Sequence, residues 1–298
     1  MRDLQQPGRS PVYASNAMVS TSHPLSTSAA LDVLKKGGNA VDAALAAVSV
    51  QCVVEPASTS VGGDCFCLYS PAGSKQPIAI NGSGRAPKKL SADWLLKNGY
   101  DAIPHQSPHS VTLPTAVDAW VRLNKDYGSK PLGDLLEYAI GYAADGYPVG
   151  QRVAFDFENT LELIKGDQDL SDLFLINGKT LPSGFRHKQP NLAKTLREIA
   201  KKGREGFFSG WVADDILKKL NGLGGLHEKE DFDAAIADYV TPISTDFRGH
   251  KIWQCPPNGQ GVIALLLINM ISEIDCFGSD PLTLERIHYE IEAGRLAY

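Results

Sequence analysis

Read along the chain, the apolar positions fall mostly into helical spacing, with a few stretches of strand-like alternation. Ser26, Thr27 or Ser28 can cap a helix carrying Ala30, Leu31, Val33 and Leu34, which Lys35 and Lys36 close before Gly37-Gly38. Residues 39–54 are almost wholly Ala, Val and Leu. A helix there is apolar on all sides and is expected in the interior, ended by Glu55-Pro56. Cys65 to Tyr69 reads as a strand with both Cys65 and Cys67 on one face, and Ile78-Ala79-Ile80 as its hairpin partner. The middle of the chain predicts helices over 116–127, 132–144, 152–165, 191–202 and 211–220. Strands follow over 239–246 and 251–254, joined at Arg248-Gly249. An apolar helix from Val262 and a last one from Thr283 complete the pattern. Buried helices beside hairpins predict an α/β layered fold.

The last helix carries the stripe Leu284, Ile287, Ile291 and Leu296, with Glu292 and Arg295 spaced as an ion pair. It runs into Tyr298 with no Gly, Asn or Pro to stop it, which fits either a fraying C-terminus or a chain cut in mid-helix.

Composition narrows the function classes. The net charge of −5, from 29 basic and 34 acidic residues, implies no basic nucleic-acid-binding surface. The longest purely apolar run, residues 262–268, is far short of the roughly 20 residues of a membrane-spanning helix. The polar segment 1–12 lacks the apolar core of a secretory signal. Five cysteines, an odd number with no CxxC pair, read as reduced core residues, so a cytoplasmic location is expected. Seven scattered histidines show no HExxH or zinc-site spacing, so no metal is expected.

Three glycine clusters invite a phosphate-binding reading: Gly37-Gly38-Asn39, Gly62-Gly63-Asp64, and Asn258-Gly259-Gln260-Gly261. None is a GxGxxG or GKS/GKT loop, and tight turns that need positive φ explain them better. There is no GxSxG elbow, no SxxK and no distinctive carboxylate pair, so motif chemistry supplies no nucleophile.

Seven ordered blocks nevertheless resemble one family. They begin with Gly37-Gly38-Asn39-Ala40-Val41-Asp42-Ala43-Ala44 and the loop from Glu55-Pro56 through Ser60-Val61-Gly62-Gly63-Asp64-Cys65-Phe66. Ala86-Pro87, Thr112-Leu113-Pro114-Thr115-Ala116-Val117, Ala143-Ala144-Asp145-Gly146-Tyr147-Pro148-Val149 and Pro256-Pro257-Asn258-Gly259-Gln260-Gly261 continue the match. The closing Glu292-Ala293-Gly294-Arg295-Leu296-Ala297-Tyr298 is similar to an EAxRLAY signature. These blocks resemble the gamma-glutamyltranspeptidase family. The resemblance implies an N-terminal-nucleophile hydrolase, an α/β protein with an αββα sandwich, made as a precursor that cuts itself into large and small subunits. Its nucleophile is a threonine whose own α-amine acts as base, and no cofactor is required. That threonine begins the small subunit, beyond the EAxRLAY block. On this resemblance residues 1–298 form one large-subunit region, truncated before the catalytic half, with no catalytic residue of its own. The small subunit of the same precursor and a small amide substrate are its implied partners, and assembly into several copies stays open.

One departure bears on substrate. The resemblance implies an arginine in a D-x-R-E-x-A-P stretch that grips the α-carboxylate of a gamma-glutamyl group. Here the stretch reads Asn81-Gly82-Ser83-Gly84-Arg85-Ala86-Pro87, which puts Ser83 at the arginine position and Arg85 two residues later. If this segment is a strand, 83 and 85 share a face, and Arg85 can take over the carboxylate. A purely structural Arg85 is the alternative. The pattern is more similar to the family's amidohydrolase branch, which implies a small anionic amide such as oxamate; gamma-glutamyl transfer or glutathione hydrolysis is the rival activity.

Overall fold

The computed structural model describes residues 11–274, 280 and 282–298; the polar segment 1–10 and the fifth cysteine, Cys276, lie outside the described residues. The described chain forms two compact units, one from the residues up to Ser60 with Asp126–Ala200, the other from Val61–Lys125 with Lys201–Tyr298.

The first unit is built around helices α1 (Pro24–Lys35) and α2 (Ala40–Val54). α1 starts earlier than expected at residues 26–28. Pro24, with φ already set for a helix, follows His23, whose Nδ1 accepts the Leu25 N–H at 3.2 Å. At α2 a full capping box closes the start: Asn39 Oδ1 accepts the Asp42 N–H at 3.0 Å, and Asp42 Oδ2 accepts the Asn39 N–H at 2.8 Å. Eleven of the fifteen α2 residues are buried, as an all-apolar helix should be; Ala44, Val48 and Gln51 trace the accessible stripe. The expected glycine turn before it is real at Gly37, φ +82°, but Gly38 is needed for a different reason: a Cβ there would lie 2.6 Å from Val33 Cγ1.

The second unit holds a three-stranded antiparallel sheet in the order β1-β2-β7, from β1 (Cys65–Tyr69), β2 (Ile78–Gly82) and β7 (Asp238–Val240). Cys65 pairs with Gly82 and Cys67 with Ile80, so the two cysteines do share a face, while Phe66 and Leu68 point to the other and stay exposed. Helices α3 (Ala92–Lys97) and α4 (Ala116–Tyr127) come next; α4 buries Val117, Ala119, Trp120 and Leu123.

Returning to the first unit, α5 (Leu132–Asp145) packs on α2. The single helix expected over 152–165 is two: α6 (Gln151–Asn159) and α7 (Leu161–Lys165). Thr160 interrupts it, its hydroxyl bonded back to the Asp156 carbonyl at 2.8 Å. α8 (Gln168–Phe174) follows, and its Phe174 joins Val149, Val153, Phe157, Ile164 and Leu181 in a local core. Short pairings, β3 (Tyr147–Pro148) with β6 (Arg186–His187) and β4 (Leu175–Ile176) with β5 (Lys179–Thr180), lead to α9 (Pro190–Lys202).

In the second unit α10 (Glu205–Phe208), α11 (Gly210–Gly222) and α12 (Lys229–Ala234) precede the sheet's third strand. The strand expected over 239–246 is also two, β7 and β8 (Ile243–Phe247). Pro242 lies between them and has no N–H for a ladder, so β7 joins β2 while β8 pairs with β9 (His250–Gln254). Arg248 (φ 49°) and Gly249 (φ 79°) make the two-residue turn of that hairpin, as expected. The apolar helix α13 (Gly261–Ser272) packs on this hairpin and on α14 (Leu284–Ala297), which carries the expected Glu292–Arg295 ion pair at 2.9 Å.

Candidate functional site

The site residues expected from the sequence, Ser83 and Arg85, follow the end of β2 in the second unit. β2 stops at Gly82, where a Cβ would meet the Cys65 carbonyl oxygen at 2.9 Å and Ala119 Cβ at 3.0 Å. The next residues do not continue the strand, so the alternation that would put 83 and 85 on one face does not apply. Instead the chain turns tightly. Asn81 Oδ1 accepts the Ser83 N–H at 3.0 Å, an Asx turn. Gly84 takes φ +71°, where a Cβ would lie 1.8 Å from the Leu113 carbonyl oxygen. The 112–113 segment ties the turn down: the Leu113 N–H donates to Arg85 O at 2.9 Å, and Thr112 Oγ1 to Ser83 O at 3.3 Å.

The loop before α13 comes to the same place. Asn258 Oδ1 accepts from Asn81 Nδ2 at 3.0 Å, and Asn258 Nδ2 donates to Ser83 Oγ at 3.0 Å. Cys255, just upstream, is buried with its Sγ 3.9 Å from the carbonyls of Cys67 and Ile80, which fixes this loop to the sheet. Gly261 is needed for that approach, since a Cβ there would lie 2.7 Å from the Cys255 carbonyl oxygen. Tight approach, and not positive φ, explains this glycine. A further bond from the Ala116 N–H to the Gly63 carbonyl at 3.2 Å joins the segment 112–117 to the loop that precedes β1. Four of the sequence blocks thus converge around Ser83.

Arg85 is exposed, and no carboxylate among the described residues pairs with its guanidinium. Ser83 and Arg85 were accessible to sequence reasoning; Asn81, Thr112 and Asn258 were missed. Asn258 lay within the Pro256–Gly261 block, but nothing in the pattern tied it to a position 175 residues earlier. The nearby thiols offer no nucleophile. Burial, with Cys67 and Asp64 adding negative neighbours, pushes the Cys65 thiol up to about 12, and burial likewise raises Cys67 and Cys255. Among the described residues no cluster of His, Cys, Asp and Glu has the makings of a metal site, and no helix is long and apolar enough to cross a membrane.

The family profile described as gamma-glutamyltranspeptidase matches residues 26–298. This chain belongs to the gamma-glutamyltranspeptidase family. Among its relatives, the "Glutathione hydrolase-like YwrD proenzyme" of Bacillus subtilis is 36% identical over 283 residues, covering 95% of this chain and 54% of the relative. The "Oxamate amidohydrolase proenzyme" of Klebsiella pneumoniae is 30% identical over 291 residues, covering 96% and 54%. Among solved structures, cephalosporin acylase from Bacillus halodurans superposes with a TM-score of 0.90 at 38% identity, over 99% of this chain and 56% of that one. The gamma-glutamyltranspeptidase of Helicobacter pylori gives 0.89 at 29% identity, over 97% and 84%. The α/β fold expected from the sequence, the large-subunit part of an N-terminal-nucleophile hydrolase, is the one these structures share. The chain spans about half the length of the curated relatives it matches.

Proposed function

We propose that this chain is the large-subunit portion of a self-processing amide hydrolase, whose nucleophilic threonine and small subunit lie beyond Tyr298. In this reading the threonine, freed by processing, attacks an amide carbonyl with its own α-amine as base, backbone N–H groups hold the oxyanion, and water resolves the acyl-enzyme. Residues 1–298 supply substrate contacts and no nucleophile. The substrate is a small anionic amide such as oxamate, and the cytoplasm is the expected compartment. The observation that carries the substrate reading is Ser83 at the family's arginine position beside an exposed Arg85 with no described carboxylate partner. A guanidinium left available offers two parallel N–H donors to a substrate carboxylate.

A second reading, gamma-glutamyl transfer or glutathione hydrolysis, is favoured by the name of the Bacillus subtilis relative. One experiment separates the two. Arg85→Lys and Arg85→Ala are made in the full gene product, and kcat/KM is measured on oxamate, on neutral oxamide and on a gamma-glutamyl anilide. Loss of a hydrogen bond to a charged group costs roughly 1.5–3 kcal/mol, so either variant is expected to lose about ten- to a hundredfold on oxamate and little on oxamide. Equal losses on both, with a lowered melting temperature, make Arg85 structural. Wild-type turnover of the anilide but not of oxamate selects the second reading, and a gene without a downstream threonine-led segment removes both.

A further inference from the structure

We infer that Asn258 is a positioning residue for substrate: it polarises and aims the Ser83 hydroxyl, so that Ser83 donates a hydrogen bond to a carbonyl or carboxylate oxygen of the substrate. The inference rests on the proposed amide hydrolase and deepens it at the Ser83 end of the same site.

The direction of every hydrogen bond in the cluster follows from one backbone group. The Ser83 N–H can only donate, and it donates to Asn81 at 3.0 Å, so the Asn81 atom facing it is the carbonyl oxygen. Asn81 must then present its NH2 to Asn258, at 3.0 Å, and the Asn258 atom that receives it is Oδ1. The remaining Asn258 group, Nδ2, therefore faces Ser83 Oγ and donates to it at 3.0 Å. Both amide orientations are thus dictated by backbone chemistry and by the bonds themselves. Ser83 Oγ accepts from Nδ2 and keeps its own hydrogen. At rest that hydrogen has Asn258 Oδ1 as an acceptor at 3.2 Å, a longer contact to an oxygen that Asn81 already supplies. It can swing to an incoming oxygen without breaking the bond from Nδ2. A chain of donors running Asn81, Asn258, Ser83 polarises the terminal O–H and strengthens it as a donor.

Geometry supports access. Asn258 is exposed and Ser83 and Asn81 are half-buried, so the hydroxyl lies at a surface that a small ligand can reach. The turn beneath is stiff, held by Thr112 Oγ1 on the Ser83 carbonyl and by the Gly84 conformation, so the donor is preorganised. The chemistry selected is an oxygen acceptor.

The test is a double-mutant cycle in the full gene product with Ser83→Ala, Asn258→Ala and the pair, measuring KM and kcat separately on oxamate. Each single variant is expected to raise KM roughly tenfold with kcat changed less than twofold, and the pair to be no worse than Ser83→Ala alone, because Asn258 acts through Ser83. Asn258→Asp, assayed on neutral oxamide so that charge repulsion plays no part, is expected to raise KM as well, since the new carboxylate captures the Ser83 hydrogen. Multiplicative losses in the pair, or unchanged KM in Asn258→Ala with a cooperative melt retained, overturn the inference. If the wild type hydrolyses only the gamma-glutamyl anilide, the oxamate reading has failed and the same cycle on the anilide decides Asn258. If nothing is turned over, the cycle is read from oxamate affinity by calorimetry, and absence of wild-type binding overturns the inference too.

Discussion

Asp42 illustrates how one residue serves both a helix and its surroundings. Its carboxylate caps α2 through the Asn39 N–H and also accepts from the Ser129 N–H at 3.0 Å, the Ser129 hydroxyl at 2.5 Å and the Lys130 N–H at 3.2 Å. Burial alone would raise this carboxyl, yet the hydrogen bonds from Ser129, Asn39 and Lys130 hold it below its ordinary value. The capping pair spans only three residues, whereas the partners at 129 and 130 come from a segment that no linear pattern joins to a position 87 residues earlier. Gly84 gives the sharper test at this scale. Gly84→Ala puts a methyl group into a backbone oxygen at 1.8 Å, in a left-handed conformation. The expected cost is about 2 kcal/mol or more, read as a lowered urea midpoint with unchanged slope. An unaltered midpoint would mean that the turn at 83–85 is loose.

Elements held their expected identity where periodicity was long and failed where a single residue intervened. α4, α5, α9 and α13 match expectation, while Thr160 and Pro242 each divide an element that apolar pattern alone made continuous. The segment between α12 and β7 is held by side chains of α4 and by Arg204. Arg204 donates from Nε to Asp118 Oδ1 at 2.9 Å and from Nη2 to the carbonyls of Phe232, Asp233 and Ala235 at 3.3, 3.1 and 2.7 Å. Asp118 is buried and also accepts the Ala237 N–H at 2.8 Å. A lysine cannot reproduce the guanidinium fork, so Arg204→Lys leaves carbonyls unpaired and is expected to cost roughly 1.5–3 kcal/mol. Differential scanning calorimetry checks this; a Tm within a degree of wild type would leave the segment's order to Asp118, Arg122 and the buried rings of Phe207, Phe208 and Phe232.

At the scale of the whole molecule, two properties emerge that no single element carries. His23, His187 and His227 are buried, and burial lowers each below its ordinary 6.5, His187 to about 4. For a histidine held neutral in the fold, the unfolded chain takes up the proton first. Stability is therefore fully present above pH 6.5 and is lost as pH falls from there toward about 4. Asp42, depressed below its ordinary 3.8, adds a further loss at lower pH still. Melting temperatures from pH 7 to 4 are expected to fall steadily, with a flatter profile in His187→Phe; a flat wild-type profile would contradict neutral burial. The second property is exposed apolar surface. α13 buries only Leu265, and the α14 stripe of Leu284, Ile287, Ile291 and Leu296 lies open beside it, as do Phe66 and Leu68 on β1. Such surface suits a docked subunit. The 298-residue chain made alone is expected to bind a hydrophobic dye and to self-associate, and a monodisperse monomer without dye binding would count against the two-subunit proposal.

Local chemistry was written in the order of residues. Helices arose wherever the 3.6-residue apolar spacing ran long, the Arg248-Gly249 turn followed from its dipeptide, and seven blocks in sequence carried the family. These depend on neighbours within a few positions, which a linear reading sees. Folding was needed to bring Asn258 to Ser83, Ser129 to Asp42 and Arg204 to Asp118, because hydrogen bonds between distant residues depend on where the chain returns in space. It also put a turn where a strand at 83–85 was expected, with Gly84 at φ +71° leaving room for the Leu113 carbonyl of another segment, an approach that alternation could not foresee.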